Sequence, residues 1–195
     1  QYIQNLPEVP ELSDSDTTVI IKDSKEGWAK GLRQVLALLW AGDIPKWDVS
    51  QIRPAGARLK TFGGRASGPA PLIDLFNFCV NTFRSASGRR LSSIECHDLM
   101  CYIGQIVVVG GVRRSAMISL SNLSDGRMRH AKSGNWWETA GHRALANNSV
   151  CYTEKPDSET FMREWLALVE SKSGERGVFN RQACKVLAER SGRRD

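Results

Sequence analysis

Two glycine-rich stretches carry the groups best suited to holding a phosphate. The first is Thr61-Phe62-Gly63-Gly64-Arg65-Ala66-Ser67-Gly68-Pro69. The second is Val109-Gly110-Gly111-Val112-Arg113-Arg114-Ser115-Ala116. Glycine lets backbone N–H groups come close to a ligand. Arginine adds a planar fork of donors that matches phosphate, and serine adds a hydroxyl. Neither stretch is a P-loop, because no Gly-Lys-Ser/Thr follows, and neither contains GxGxxG. A helix stop or tight turn uses the same glycines. Two loops of like composition flanking one helix pair favour nucleotide binding. A third candidate is Asn147-Asn148-Ser149, just before an expected strand. Its amides and hydroxyl suit sugar hydroxyls or a base edge, and they equally suit a turn.

Other chemistry has less support. Arg127-Met128-Arg129-His130-Ala131-Lys132 lies close to Trp136-Trp137. Cations interleaved with aromatics hold single-stranded nucleic acid by charge and stacking, and a solvated loop anchored to the core by its Trp pair has the same composition. The carboxylates are scattered, with no pair placed for acid–base work. The five cysteines, Cys79, Cys96, Cys101, Cys151 and Cys184, form no CxxC pair. The three histidines form no HxxxH or HxxE pattern, so zinc is not expected. An odd number of widely spaced thiols argues against a disulfide framework and fits reduced, mostly buried cysteines in a cytoplasmic protein.

The elements that must position these groups alternate between strand and helix. Residues 1–16 are rich in proline and acid and read as a linker or loop. Thr17–Ile21 reads as a strand. Asp23 and Glu26 have capping-box spacing ahead of Trp28, Leu32, Val35, Leu36 and Leu39, which mark one face of a helix ending near Gly42. Ile44–Ile52 is expected to be extended. A helix follows the first glycine-rich loop, with Leu72, Leu75, Phe76, Cys79 and Phe83 on one side and Gly88 closing it. Ser92 and Glu95 repeat the capping-box spacing ahead of a helix carrying Leu99, Ile103 and Ile106. The two helices predict an antiparallel hairpin over 70–108. Met117–Leu120 alternates as a strand, 121–146 reads as irregular, and Asn148–Tyr152 reads as a strand. Asp157 caps a helix, Gly177–Asn180 reads as a strand and Gln182–Arg190 as a helix. This order predicts an α/β fold with parallel strands.

The chain has 195 residues, 27 Lys and Arg against 21 Asp and Glu, a net charge of +6, and 41% hydrophobic residues. The mild basic excess suits a phosphate-bearing partner. No segment approaches the roughly 18 consecutive apolar residues of a membrane span, so no membrane partner is expected. The start has no basic region leading into an apolar one, as a signal peptide would.

The loops also carry a resemblance. Trp47-Asp48-Val49-Ser50, Ile52-Arg53-Pro54-Ala55-Gly56-Ala57 and Lys60–Pro69 resemble blocks of the adenosylcobalamin-dependent (class II) ribonucleotide reductases. So do Ile103-Gly104, Val107–Ala116, Ala146-Asn147-Asn148-Ser149 and Gly174-Glu175-Arg176-Gly177-Val178-Phe179-Asn180, all in family order. The resemblance implies an α/β barrel of ten strands in two halves, with residues 17–195 forming part of it and the 70–108 hairpin lying at the effector or dimer surface. It implies reduction of ribonucleotides to deoxyribonucleotides for DNA synthesis, in which cobalt–carbon homolysis of adenosylcobalamin leads to a cysteine thiyl radical.

Residue by residue, the resemblance makes Gly110, Gly111, Val112, Arg113, Arg114, Ser115 and Ala116 a specificity loop, with Arg113 nearest the substrate base. It makes Gly63, Gly64, Arg65, Ala66, Ser67 and Gly68 a loop near effector and substrate, and it puts Asn147, Asn148 and Ser149 close to the substrate. The implied partners are a ribonucleotide substrate, a deoxynucleotide or ATP effector, the remainder of the reductase chain, a second copy in a homodimer, and a thioredoxin-like reductant.

The sequence departs from the family at its redox residues. The family's radical cysteine lies in an Asn-Pro-Cys loop downstream of the block ending at Asn180, and this chain has no such motif. No cysteine precedes Cys79, where a reducing partner would lie. With no initiator Met, the expectation is an internal piece of a reductase, inactive alone and without catalytic residues of its own. The alternative is a basic nucleotide- or nucleic-acid-binding module without reductase activity.

Overall fold

The computed structural model describes residues 3–59, 64–107 and 116–192. Two compact units, Tyr2–Ser115 and Ala116–Asp195, divide the chain.

In the N-terminal unit, strand β1 (Ser13–Ile20) is followed by helix α1 (Lys25–Ala41) and strand β2 (Asp43–Asp48). β1 and β2 pair in parallel, with α1 as the crossover. β1 starts four residues before the expected Thr17, inside the stretch read as linker. Ser13 and Asp14 already pair with Asp43 and Ile44, and Ser13 N donates to Gly42 O at 3.0 Å. The register shifts between Asp14 and Thr18, opposite Pro45. Proline has no N–H to give the ladder, and the extra residues of β1 pass it there.

The cap of α1 is Ser24, not Asp23. The Ser24 side chain accepts from Gly27 N at 2.9 Å. Asp23 is engaged instead by Arg53, whose Nε donates to Oδ2 at 2.6 Å. Gly42, at φ +96°, ends the helix with its N–H directed to Leu38 O and Leu39 O. The predicted apolar face packs as expected: Val35 and Leu39 are fully buried, with Trp28, Leu32 and Leu36 partly so. Gly31 brings the helix onto Ile21, where a Cβ would lie 2.3 Å from Ile21 Cδ1.

Helices α2 (Ala70–Ser85) and α3 (Ser93–Ile106) form the expected hairpin. Phe78 stacks on Tyr102 at 4.4 Å between centroids, which fits an antiparallel pair. Ser92 and Glu95 complete a capping box in both directions. Leu72, Leu75, Phe76, Cys79 and Phe83 of α2 are buried in the main core, and Trp40 of α1 meets Phe83 edge-on at 4.9 Å. Leu99, Ile103 and Ile106 pack against this core, yet the deepest positions of α3 are His97 and Cys101.

In the C-terminal unit, strands β3 (Met117–Ser121), β4 (Ala146–Tyr152) and β5 (Gly177–Asn180) form a parallel sheet in that order. Residues 121–146, expected to be irregular, contain the short helices α4 (Gly126–Arg129) and α5 (Trp136–Thr139) and a 3-10 turn at Gly141–Leu145. Helix α6 (Ser158–Ser171) is capped by Asp157, as expected, and α7 (Arg181–Arg190) by Asn180. The α/β character and parallel pairing are as predicted. The ten-stranded barrel is not shown, because the described strands form two small parallel sheets. Among the described residues, no helix is long and apolar enough to cross a membrane.

Candidate functional site

Strand β4 carries Asn147, Asn148 and Ser149 at the centre of the three-stranded sheet. Side chains alternate along a strand, so Asn147 and Ser149 share one face while Asn148 points to the other. Asn147 is exposed, Ser149 half-buried and Asn148 buried. On β3, Ile118 and Leu120 stand in register with Asn147 and Ser149, and both are exposed. The result is an open face bearing an amide and a hydroxyl beside two aliphatic side chains. Gly177 of β5 lies opposite Ser149, and a Cβ there would sit 3.2 Å from Ser149 Oγ. The glycine leaves room for the hydroxyl.

Beneath this segment lies a buried ion pair that sequence reasoning missed. Glu175 Oε2 accepts from the Asn148 backbone N–H at 2.6 Å, and Glu175 Oε1 accepts from Lys132 Nζ at 2.9 Å. Lys132 Nζ also donates to Ala146 O, and it lies 5.3 Å from the centre of the Trp136 ring. A second buried cluster is close in sequence. Arg176 pairs with Glu164 of α6 and donates to Ser121 Oγ at 2.7 Å, while Arg129 Nε donates to Glu164 Oε1 at 2.6 Å. No spacing pattern signals these partners, which are joined only by the fold.

These contacts revise the reading of residues 127–132. Arg129 and Lys132 are committed to internal carboxylates and carbonyls. Trp136 and Trp137 meet edge-on at 81°, and Trp137 is 59% exposed. The pair is neither a core anchor nor a parallel stacking platform.

In the N-terminal unit, the described part of the first glycine-rich loop folds back on residues 56–59. Gly56 N donates to Ala66 O at 2.9 Å, and Ala66 N to Ala57 O at 2.8 Å. The Arg65 guanidinium donates to Gly56 O at 2.9 Å and is exposed. Ser67 Oγ donates to Gly68 O. Gly68 has φ +73°, and a Cβ there would lie 2.8 Å from Ala55 N, so this position requires glycine. Gly63, and Gly110, Gly111, Val112, Arg113, Arg114 and Ser115, lie outside the described residues. Ala116 is exposed at the entry to β3.

None of the five cysteines is in a disulfide. Cys79, Cys101 and Cys151 are buried, Cys96 is half-buried, and Cys184 is exposed on α7. Burial pushes the Cys79 thiol up to about 12 and raises that of Cys96, where the Glu95 charge adds to the effect. Both therefore stay protonated at neutral pH and are poor nucleophiles. Cys101 Sγ lies 3.7 Å from His97 Nε2 and 3.8 Å from Nδ1. Near-equal distances to both nitrogens place the sulfur against the ring, not in line with one ring N–H. Among the described residues, no three His, Cys, Asp or Glu side chains group to hold a metal.

Residues 8–83 match the family model described as "B12-dependent ribonucleotide reductase, insertion domain". The stretch takes in β1, α1, β2, the first glycine-rich loop and most of α2. The adenosylcobalamin-dependent ribonucleoside-triphosphate reductase of Lacticaseibacillus paracasei is 33% identical over 179 residues, covering 89% of this chain and 23% of that protein. The chain is related to the B12-dependent ribonucleotide reductases. The Lactobacillus leichmannii enzyme of the same name is 32% identical over 166 residues, covering 82% of the chain and 22% of that enzyme. A crystal structure of a B12-dependent (class II) ribonucleotide reductase matches with a TM-score of 0.58 and 29% identity, over 71% of this chain and 19% of that one. The chain therefore spans about a fifth of the length of the class II reductases it matches.

Proposed function

We propose that this chain is the part of an adenosylcobalamin-dependent ribonucleotide reductase that holds and discriminates nucleotides. The observation that carries the reading is the coincidence of the family's blocks with a sheet face that offers Asn147 and Ser149 to a ligand. The match to class II reductases in both sequence and structure supports it. In this reading the whole protein reduces ribonucleotides to deoxyribonucleotides by thiyl-radical chemistry. Asn147, Asn148 and Ser149 lie near the substrate. Gly110–Ala116 is the specificity loop, with Arg113 nearest the base, and Gly63–Gly68 lies near effector and substrate, with the exposed Arg65 available for phosphate.

We place the strands of a ten-stranded barrel in the C-terminal unit. The insertion-domain match over 8–83 supports setting the N-terminal unit apart, with its 70–108 hairpin as an effector or dimer surface. The rest of the reductase chain, a deoxynucleotide or ATP effector, a second copy and a thioredoxin-like reductant follow as partners of the whole protein.

The cofactor of the whole protein is adenosylcobalamin in this reading. A cavity of about 720 Å³ lies at the ends of β4 and β5, among Tyr152, Phe161, Val178, Val186 and Leu187. Its wall is mostly apolar carbon, with Thr153, Glu154, Lys155, Asn180 and Gln182 also at its border. A corrin is fringed with amides that need polar partners when buried, and the mostly apolar wall of this cavity does not match that fringe.

The testing experiment is an amide-resolved titration of the chain with a ribonucleoside triphosphate. Shifts centred on Asn147 and Ser149 support the reading, and saturable binding that leaves both unmoved overturns their role.

A further inference from the structure

We propose that Lys132 and Glu175 are a positioning pair that sets where Asn147 and Ser149 meet the nucleotide. This inference rests on the nucleotide reading of β4 and deepens it. Two peptide groups flank the Asn147 Cα, one carrying the Ala146 carbonyl and the other the Asn148 N–H. The Ala146 carbonyl accepts from Lys132 Nζ, and the Asn148 N–H donates to Glu175 Oε2 at 2.6 Å. Holding both peptide planes fixes the backbone angles of Asn147 and thereby the direction of its side chain. That side chain is exposed and makes no hydrogen bond to another described residue, so its aim is set from behind by the clamp.

The clamp supplies contacts that the sheet lacks at this point. β5 pairs with β4 only from Ser149 onward, where Gly177 stands opposite. Upstream of that pairing, the Glu175 carboxylate and the Lys132 ammonium take the backbone groups that a longer β5 would have taken. Lys132 is 7% exposed, and among the described residues its ammonium meets Ala146 O, Glu175 Oε1 and the Trp136 ring. A buried ammonium persists only when so surrounded. Glu175 also precedes Gly177, whose missing side chain leaves room for Ser149 Oγ. The Gly174–Asn180 block thus reaches the candidate site twice, through Glu175 on the Asn148 N–H and through Gly177 opposite Ser149.

The test compares binding and stability in the same variants. Ribonucleoside triphosphate affinity is read from the Asn147 and Ser149 amide signals, and the melting temperature is measured alongside. Lys132→Met and Glu175→Ala are expected to weaken binding tenfold or more. Glu175→Gln, which keeps an acceptor oxygen, restores at least half of the loss on a logarithmic scale, and it carries the test if Lys132→Met does not fold. Glu164→Gln lowers the melting temperature without touching the edge of β4 and leaves affinity within twofold. Affinity that tracks melting temperature alike in all variants overturns the positioning role. Wild-type affinity retained in Glu175→Ala overturns it too, while leaving the nucleotide reading intact. No nucleotide-dependent shift in the wild type overturns both.

Discussion

Arg176 and Glu164 face each other through two hydrogen bonds, Nε to Oε2 at 2.9 Å and Nη2 to Oε1 at 2.8 Å, with side chains only 2% and 4% exposed. Arg129 adds a second cation on Oε1. Ser121 Oγ and Asn122 O accept from Arg176 Nη1, and Leu123 O accepts from Arg129 Nη2. Burial alone would raise the Glu164 carboxyl, but the hydrogen bonds and charges of Arg176 and Arg129 outweigh it and hold the group below its usual range. The triad ties α6 to the end of β3 and the approach to β5. Removing one partner of a buried pair leaves an uncompensated charge, at a cost of about 3–5 kcal/mol. Glu164→Gln is therefore expected to destabilise the C-terminal unit by about 3 kcal/mol or more in denaturant unfolding. A loss below about 1 kcal/mol would show that the triad is dispensable.

Glu95 gives the N-terminal unit a pH dependence of known sign. The Arg89 guanidinium bonds both carboxylate oxygens, at 2.9 and 2.7 Å, and Ser92 adds its N–H and hydroxyl. These contacts, Arg89 first, hold Glu95 down to about 2 from an ordinary 4.5. A carboxyl depressed in the folded state stabilises above its unfolded pKa, and that stabilisation is lost as pH falls through the folded value. Glu95→Gln is expected to be less stable than wild type at pH 7, with the gap narrowing from about pH 5 toward pH 2. A gap constant over that range would falsify the assignment.

Helix propensity and packing disagree at Gly27, in the first turn of α1. Propensity alone favours alanine there by about 1 kcal/mol. A Cβ at this position would lie 2.4 Å from Lys22 O, a backbone atom that cannot swing aside. Gly27→Ala is expected to destabilise the N-terminal unit by about 1 kcal/mol or more. A stabilised variant in thermal unfolding would mean that the β1–α1 connection yields easily.

The sequence was most informative where contacts are local. The Ser92–Glu95 box, the Asp157 cap and the apolar face of α1 depend on residues three or four apart, and all are present. The cap of α1 was displaced by one residue because Asp23 is drawn to Arg53, thirty residues away. The start of β1 was hidden because its residues are polar and mostly exposed and show no apolar alternation. Helices of four residues, such as α4 and α5, are too short to show a period. At the candidate site, Asn147–Ser149 could be named because their types suggest hydrogen bonding. Lys132 and Glu175 could not, since 43 positions separate them and only the closing of the sheet brings them together.

The central claim is that the chain recognises nucleotides as a reductase segment does and is not a nucleic-acid module. Melting the chain with a deoxynucleoside triphosphate, and in parallel with single-stranded DNA, tests it most directly. A ligand at 100 times its Kd stabilises by about 2.7 kcal/mol, a shift of several degrees for a domain of this size. That shift is expected with the triphosphate, and little or none with DNA. Stabilisation by DNA but not by the triphosphate would contradict it.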